Sequence, residues 1–273
     1  MNSNKGSKYR KYKPAVGDKA RETLENIDES NPVIKMFRAF SAELDEKHDR
    51  YERIVKLSRD ITIESKRIIF SLHNVNIELE SKKATLLKDI ESRLDGLIDT
   101  NFKMIALELK GHDPYMYHKA FTGGIQEFIE AYTFYQFIKN ESIGDWNSFN
   151  NLFQYKDDDN GEFSLLFTQL DFILGIGDLT GELMRRCINV LTGGNVGECS
   201  KMCNFVKAIN TGFLGMVNTG YKEIGRKAYV LRQSLSKMEL VCYNLEIRGQ
   251  EIPKHMLLNV IESSEVEEDE GFF

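Results

Sequence analysis

The chain has 273 residues, and its 42 acidic and 36 basic side chains give a formal net charge of −6. This acidic balance excludes a molecule that binds polyanions over its whole surface. A hydrophobic fraction of 41% and only four prolines predict a large, mainly helical core. The longest uncharged run, residues 208–221, is too short to cross a bilayer, so we expect no membrane partner.

Charge is concentrated at the two ends of the sequence. Residues 1–30 begin with a basic cluster that has no acid before Asp18, and residues 263–273 are strongly acidic. Both segments are predicted to be disordered tails, because they carry charge with few apolar residues to bury. The basic cluster fits a nuclear-import signal, an RNA-contacting arm or a solubilising tail, and it consists of Lys5, Lys8, Arg10, Lys11 and Lys13.

The cysteines are predicted to be free thiols in a reducing compartment. Their spacing matches no zinc motif, and they have no nearby histidine partner. We therefore expect a soluble intracellular protein. The residues concerned are Cys187, Cys199, Cys203 and Cys242.

The first predicted helix starts at Pro32, since proline suits the first helical turn, and it runs to about Leu72. No glycine or further proline interrupts it, so a helix of roughly 60 Å is expected at about 1.5 Å per residue. Its charged residues mix both signs, which is typical of a solvated face. A nucleic-acid groove along one side is the alternative, with Arg53, Lys56 and Arg59 as candidate RNA contacts.

A second helix is predicted over about residues 75–109. Residues 111–124 contain Pro114 and end in two glycines, so a short or broken helix is expected there. The next helix follows these glycines and ends near Asn140. It is apolar on nearly all sides, which predicts a buried element.

Residues 145–161 are polar and predict a surface loop. Its aspartates, residues 157–159, precede an Asn-Gly pair and fit an exposed turn better than a metal site. Glycines within residues 191–195 end the helix that follows this loop. The remaining predicted helices cover about residues 165–190, 196–210 and 222–247, with a last short one that opens at Pro253.

We find no clear strand and no internal repeat in the sequence. The pattern predicts an all-α protein, a single-domain bundle of about seven helices over residues 31–262.

Four carboxylates lie on the two most apolar predicted helices. Glu127 and Glu130 are about 60° apart on a helical wheel. Asp178 and Glu182 lie on one stripe of the later helix, and Arg185 continues the same stripe. A carboxylate in such surroundings must be paired, protonated, bound to a metal or facing a wet cavity.

Two explanations of the carboxylates remain open at this point. One is an internal salt-bridge network in which Arg185 and Arg186 are the partners of Asp178 and Glu182. The other is a site for a hard divalent cation such as Mg²⁺ or Mn²⁺, which prefers oxygen ligands. A di-iron bundle is excluded, because no glutamate has a histidine three residues on.

Three segments in this order, GIQEFIEAYTFYQFI, DFILGIGDLTGELMRRCIN and LEIRGQEIPKHML, resemble the translin family. The likeness covers about residues 31–261. The paired glutamates, the DLTGELMR run and the basic tail are more similar to the TRAX branch of this family than to translin itself. That branch carries a nuclear-targeting signal in its basic tail.

The resemblance implies an all-α, seven-helix translin-like fold with long helices. It also implies a hollow, octamer-like hetero-oligomer with translin that acts as a Mg²⁺-dependent endoribonuclease on single-stranded RNA, with Mn²⁺ as the alternative ion. The implied roles are removal of passenger-strand fragments in RNA interference and processing of tRNA fragments, in the cytoplasm and the nucleus.

The family's catalytic, metal-binding acids correspond to Glu127 and Glu130 in GIQE-x-x-E and to Asp178 and Glu182 in DLTGE. All four match, so the resemblance implies an active enzyme. Arg185 either orients these acids or contacts the RNA phosphate. The alternative function is a non-catalytic nucleic-acid-binding or scaffolding partner of translin.

Overall fold

A computed structural model describes residues 27–75, 80–156, 161–191 and 196–248. The chain divides into two units, residues 1–50 and 51–273. In the first unit, helix α1 (Pro32–His73) begins where the Asn31 side chain accepts a hydrogen bond from the Val33 amide at 2.9 Å. This confirms the predicted start. The part of α1 within this unit has an exposed apolar face of Val33, Met36, Phe37, Phe40 and Leu44.

The second unit contains the rest of α1 and all other described elements. In chain order these are α2 (Glu80–Leu97), a π-helical turn (Ile98–Phe102), α3 (Lys103–Leu109), a 3-10 turn (Pro114–Met116), α4 (His118–Asn140), α5 (Trp146–Leu152), β1 (Gln154–Lys156), β2 (Glu162–Ser164), α6 (Gln169–Leu191), α7 (Val196–Leu214), a 3-10 turn (Val217–Thr219) and α8 (Lys222–Arg248). Because α2, the π-helical turn and α3 are continuous, the described residues form seven helical segments. The predicted all-α fold is confirmed.

Helices α4 and α6 lie at the centre of the second unit. Helix α4 packs along α6, and α6 also packs against α7 and α8. Large aromatic side chains fill the space around α4, as its apolar circumference predicted. Those with almost no exposed surface are Phe102, Phe121, Phe128, Phe134, Phe149 and Phe153.

Two glycines permit the close helix contacts. A Cβ atom at Gly175 of α6 would lie 2.7 Å from the Cβ of Ile129 and 2.9 Å from the Gln126 carbonyl oxygen on α4. A Cβ at Gly124 of α4 would lie 2.7 Å from the Ser58 hydroxyl oxygen on α1. Each glycine comes one turn before a carboxylate pair of interest, so these contacts fix the helices beside the acids.

The short helix predicted within residues 111–124 is present as the 3-10 turn Pro114–Met116. Three other expectations were wrong. Gly124 does not end that segment but lies inside α4, which begins at His118 and comes close to Ser58 at this glycine. The predicted loop at 145–161 contains helix α5, whose first turn is capped by Asp145 accepting from the Ser148 amide at 2.8 Å. It also contains an antiparallel pair, β1 with β2, whose three-residue strands are too short to give a recognisable pattern.

The cysteines are free thiols, as predicted. They lie where α6, α7 and α8 meet. The Cys199 thiol of α7 donates to the Cys187 carbonyl oxygen of α6 at 3.3 Å. The thiols of Cys187 and Cys203 are hydrogen-bonded to that of Cys242. Those hydrogen bonds, from Cys187 first, lower the pKa of Cys242 to about 7.

Several predictions lie outside the described residues. They are the tail within residues 1–26, the aspartates at 157–159, the glycines at 193–194, the short helix at Pro253 and the acidic tail. The predicted domain boundaries stay predictions. No helix in the described ranges is both long and apolar enough to cross a membrane.

Candidate functional site

The four acids from the sequence come together between α4 and α6. Helix α4 contributes Glu127 and Glu130, and α6 contributes Asp178 and Glu182. The negative charges of the other three all act on Glu130. The contact at Gly175, one turn before Asp178, holds the two helices close enough for this.

Glu130 is the most buried of the four acids, with 9% of its surface exposed. Its carboxyl group forms no hydrogen bond or ion pair with any residue that the structure describes. Burial, followed by repulsion from Asp178, Glu127 and Glu182, raises its pKa from 4.5 to about 9. The group is therefore protonated at neutral pH in the chain as it stands. A buried acid perturbed in this way is typical of a functional site.

Glu127 lies nearer the surface. The Lys66 ammonium of α1 is 3.6 Å from its carboxylate. Burial raises the pKa of Glu127, the charge of Lys66 opposes that effect, and Asp178 and Glu182 add to it. The net shift in the pKa of Glu127 is upward, so Lys66 does not offset burial together with the charges of the nearby acids.

Asp178 and Glu182 have cationic or imidazole partners on α1, α6 and α8. Lys227 of α8 forms an ion pair with Asp178. The Nε2 atom of His73, at the end of α1, is hydrogen-bonded to Glu182, and the guanidinium of Arg185 is 3.7 Å from the same carboxylate.

The His73 ring is buried and packs on Phe134, with 5.0 Å between ring centroids. Its Nδ1 atom is buried and has no hydrogen-bond partner among the described residues. The ring therefore depends on Glu182 and on packing for its orientation. Because the ring is held by packing on Phe134, its hydrogen bond can in turn fix the orientation of the Glu182 carboxylate.

Sequence reasoning missed Lys66, His73 and Lys227. The first two are seven residues apart and so share one face of α1. This spacing is visible in the sequence, but many other charged residues in α1 have similar spacings. Nothing in the sequence connects Lys227 with Asp178, which is 49 positions away.

The salt-bridge prediction was half right. Arg185 contacts Glu182 as expected, but Arg186 turns away from the site. Its guanidinium donates to the carboxylate of Glu198 at 3.2 Å and to the Leu72 carbonyl oxygen at 3.1 Å. Arg186 is therefore part of the packing between α1, α6 and α7.

The predicted RNA contacts on α1 stay predictions. Arg53 makes a bidentate pair with Glu108 of α3, with both N–O distances at 2.8 Å. Lys56 and Arg59 are exposed on the same helix. Among the described residues of α1, the cation recorded against the four acids is Lys66, about two turns or more beyond these three.

The donor chemistry of the site fits a hard divalent cation. It offers only carboxylate oxygens from its four acids, and their mutual repulsion would be relieved by positive charge. No three Asp, Glu, His or Cys side chains within the described ranges form a ready-made ligand set. Binding would therefore require the carboxylates to draw closer together than they are here.

A fifth carboxylate, Asp171, lies on α6 two turns before Asp178 and is almost fully buried. It accepts hydrogen bonds from His118 at 2.7 Å, Thr122 at 2.5 Å and Thr168 at 2.6 Å. Burial raises its pKa, but the hydrogen bonds outweigh burial and the net shift is downward. Asp171 thus ties the start of α4 to the start of α6.

Comparisons with known proteins place the chain in a family. The model of the translin family matches residues 49–249. The chain is 38% identical to translin-associated protein X of Pongo abelii, with 97% of each chain covered. It is 41% identical to the protein of that name from Mus musculus, over 85% of this chain and 84% of the relative. Translin of Homo sapiens is 21% identical over 56% of this chain and 66% of the relative.

Solved structures share the fold. The crystal structure of apo-NeC3PO gives a TM-score of 0.57 at 20% identity, covering 74% of this chain and 92% of that one. The structure of an AfC3PO–duplex RNA complex gives 0.58 at 16% identity, covering 85% of this chain and all of the other. The chain therefore belongs to the translin family, and within that family it is similar to translin-associated protein X.

Proposed function

We propose that this chain is the catalytic subunit of a metal-dependent endoribonuclease that hydrolyses single-stranded RNA in a hetero-oligomer with translin. The observation that carries the proposal is the buried, unpaired carboxyl of Glu130 within a group of three further acids. A cluster of like charges without a full set of counter-charges is costly unless a cation binds there. Relatives are named for association with translin, and a structural neighbour was solved with duplex RNA.

The acids Glu127, Glu130, Asp178 and Glu182 would hold Mg²⁺, or Mn²⁺ in its place. When bound, such an ion supplies a water of lowered pKa and neutralises charge on the phosphodiester oxygens. Glu130 must release its proton to solvent before it can be a ligand, since its pKa is about 9 without the ion.

The surrounding side chains have separate roles in this mechanism. His73 and Lys227 orient the carboxylates of Glu182 and Asp178. Lys66 and Arg185 have side chains 63% and 56% exposed, so both can reach a phosphate while remaining beside the acids. The arrangement binds the RNA backbone without reading its sequence.

The test is RNA cleavage by the reconstituted complex with translin. Glu130→Gln and Asp178→Asn should each reduce cleavage on the order of a thousandfold or more, as expected when a group essential to the reaction is lost. A chelator should have the same effect on the unaltered complex. Glu91→Gln is the matched control, because Glu91 is an exposed acid paired with Lys139 at 2.9 Å.

The same variants separate this proposal from its rivals. Assembly with translin and binding of single-stranded RNA should persist in Glu130→Gln and Asp178→Asn. Loss of assembly would instead show that the acids form a structural salt-bridge network. Undiminished cleavage by a complex with all four acids replaced would refute the catalytic role.

The second candidate function is a non-catalytic RNA-binding or scaffolding partner of translin. It is favoured by the pairing of Glu127 with Lys66, Asp178 with Lys227 and Glu182 with His73. These pairs partly neutralise three of the acids without a metal. Under this alternative, Mg²⁺ would not alter the stability of the complex.

The cellular roles follow from the same proposal. A ribonuclease of this kind would remove passenger-strand fragments in RNA interference and trim tRNA fragments, in the cytoplasm and the nucleus. Cleavage of a nicked passenger strand by the reconstituted complex would test the first role directly.

A further inference from the structure

Three residues of α1 share one stripe of the helix, and two of them contact the carboxylates. Lys66, Phe70 and His73 lie within about 60° of each other around the helix. Lys66 contacts Glu127 of α4, and His73 contacts Glu182 of α6. Phe70 therefore lies on the same stripe of α1 as the two residues that touch the acids, between them along the helix.

Phe70 is exposed, whereas the apolar residues Ile69 and Leu72 beside it in the helix are buried. Its exposed fraction is 64%, compared with 6% for Ile69 and 0% for Leu72. No described aromatic ring packs against it, whereas His73, one turn further on, packs on Phe134. The core of the second unit therefore does not explain why a phenyl ring is present here.

Exposed cations lie beside the same group of acids. The ammonium of Lys66 is one turn before Phe70, with 63% of the side chain exposed, and Arg185 lies beside Glu182, with 56% exposed. Grooves that bind single-stranded nucleic acid combine cations for the backbone with aromatic rings on which bases stack. An exposed ring between a phosphate-reaching lysine and a carboxylate cluster has this combination.

We propose that Phe70 stacks on a base of the single-stranded RNA whose phosphate lies at the carboxylates. The inference rests on the proposed function and gives it a positioning residue. A phenyl ring can stack on any base, so the contact fixes the strand without selecting a sequence. The contact requires a base that can leave the stack formed with the neighbouring bases of the strand.

The test measures RNA binding in a cleavage-deficient background, so that stacking is read separately from catalysis. Complexes of translin with the Glu130→Gln chain, with and without Phe70→Ala, are titrated with a fluorescent single-stranded RNA. Phe70→Ala should weaken binding about tenfold, the scale of one stacked base. Phe70→Trp should restore binding, and Phe70→Leu should not.

A second series uses RNAs in which one nucleotide at a time lacks its base. When the missing base is the one that meets Phe70, the chains with and without Phe70→Ala should bind that abasic RNA equally. In the active background, Phe70→Ala should raise KM about tenfold with little change in kcat. Tyr243→Ala is the control, an exposed aromatic with 58% exposure on α8, about 24 Å along that helix from Lys227.

Each other outcome overturns the inference. Full binding by Phe70→Leu would indicate an apolar contact without stacking. Failure of Phe70→Ala to assemble would place the ring in a protein interface with translin. Equal weakening on every abasic RNA would mean that no base meets the ring. If Glu130→Gln still cleaves RNA, the proposed function fails, while the binding result for Phe70 stands or falls by itself.

Discussion

Two buried carboxylates on the same pair of helices have opposite environments. Asp171 receives hydrogen bonds from His118, Thr122 and Thr168, and its pKa is lowered despite burial. The carboxyl group of Glu130 has no hydrogen-bond partner among the described residues, and burial with nearby acids raises its pKa to about 9. Burial alone therefore does not distinguish a structural acid from a functional one.

The difference lies in how many donors reach each carboxylate. A buried carboxylate with a full set of donors stabilises the contact between the elements that supply them. A buried carboxylate with none, beside three other acids, costs free energy until a cation binds. The first is expected to matter for folding and the second for activity, and the following experiments test that division.

The largest expected effect is the pH dependence caused by Glu130. Because its folded pKa of about 9 exceeds the ordinary 4.5, its contribution to stability is full below pH 4.5 and is lost as the pH rises toward 9. The metal-free protein should lose about 4 kcal/mol of unfolding free energy between pH 5 and pH 8, at about 1.4 kcal/mol per unit. Urea unfolding at each pH measures this.

Glu130→Gln should remove that loss and leave a flatter profile. The control Glu91→Gln should keep the slope of the unaltered protein. An unchanged slope in Glu130→Gln would mean that Glu130 is ionised in the folded state at neutral pH.

Asp171→Ala should lower the unfolding free energy by about 3 kcal/mol, since it leaves His118 and two threonines without their buried acceptor. The pH dependence has the opposite sign to that of Glu130. With a lowered pKa, Asp171 contributes stability above its ordinary 3.8 that is lost as the pH falls through the folded value. Unfolding of both chains between pH 2 and pH 7 checks this.

Asp171→Asn separates charge from shape at the same position. An asparagine effect as large as that of alanine would show that the negative charge is required. Unchanged stability in Asp171→Ala would refute the assigned clamp between α4 and α6.

Addition of Mg²⁺ should stabilise the protein, because an ion that binds only the folded state shifts the equilibrium. At a hundred times its dissociation constant the gain is about 2.7 kcal/mol. Thermal unfolding with Mg²⁺, Mn²⁺ or a chelator measures it. Asp178→Asn should abolish the gain, and Asp171→Asn should retain it, so equal gains in both variants would place the ion elsewhere.

Gly175→Ala should destabilise the protein by about 2 kcal/mol, because the added methyl group meets Ile129 at less than contact distance. Gly181→Ala, in the same helix with open space around its Cβ position, should instead stabilise by about 0.5–1 kcal/mol. Chemical denaturation of the two variants gives both values. Destabilisation by Gly181→Ala would indicate that the outer face of α6 is covered.

Lys66→Met should have the smallest effect on stability, within about 0.5 kcal/mol, because its ion pair with Glu127 is largely exposed to solvent. Its effect on RNA affinity should be greater than its effect on unfolding. Salt titrations of RNA binding should show a shallower slope by roughly one unit if Lys66 contacts a phosphate. An unchanged slope would remove Lys66 from the RNA path.

The sequence was most informative where charge and apolar surroundings conflict. Glu130 and Asp178 were identifiable because each is an acid on an apolar helix, and every described helical segment except the short α5 followed from periodicity. Asp171 escaped notice, although Thr168 is only three residues before it, because its other donors, His118 and Thr122, are brought near only by the fold. Lys227 was missed for the same reason, and Gly124 was misinterpreted because its close contact with Ser58 is tertiary.

Hydrogen bonds to Asp171 hold α4 against α6, while the acids of the two helices repel one another two turns further along α6. Such a pair is expected to be stiff at one end and compliant at the other. A cation at the acids would couple the compliant end, so amide hydrogen exchange should slow around Glu130 and Glu182 and change little around Thr122. Cation binding could then be followed by the change in amide exchange rates from one end of α4 and α6 to the other.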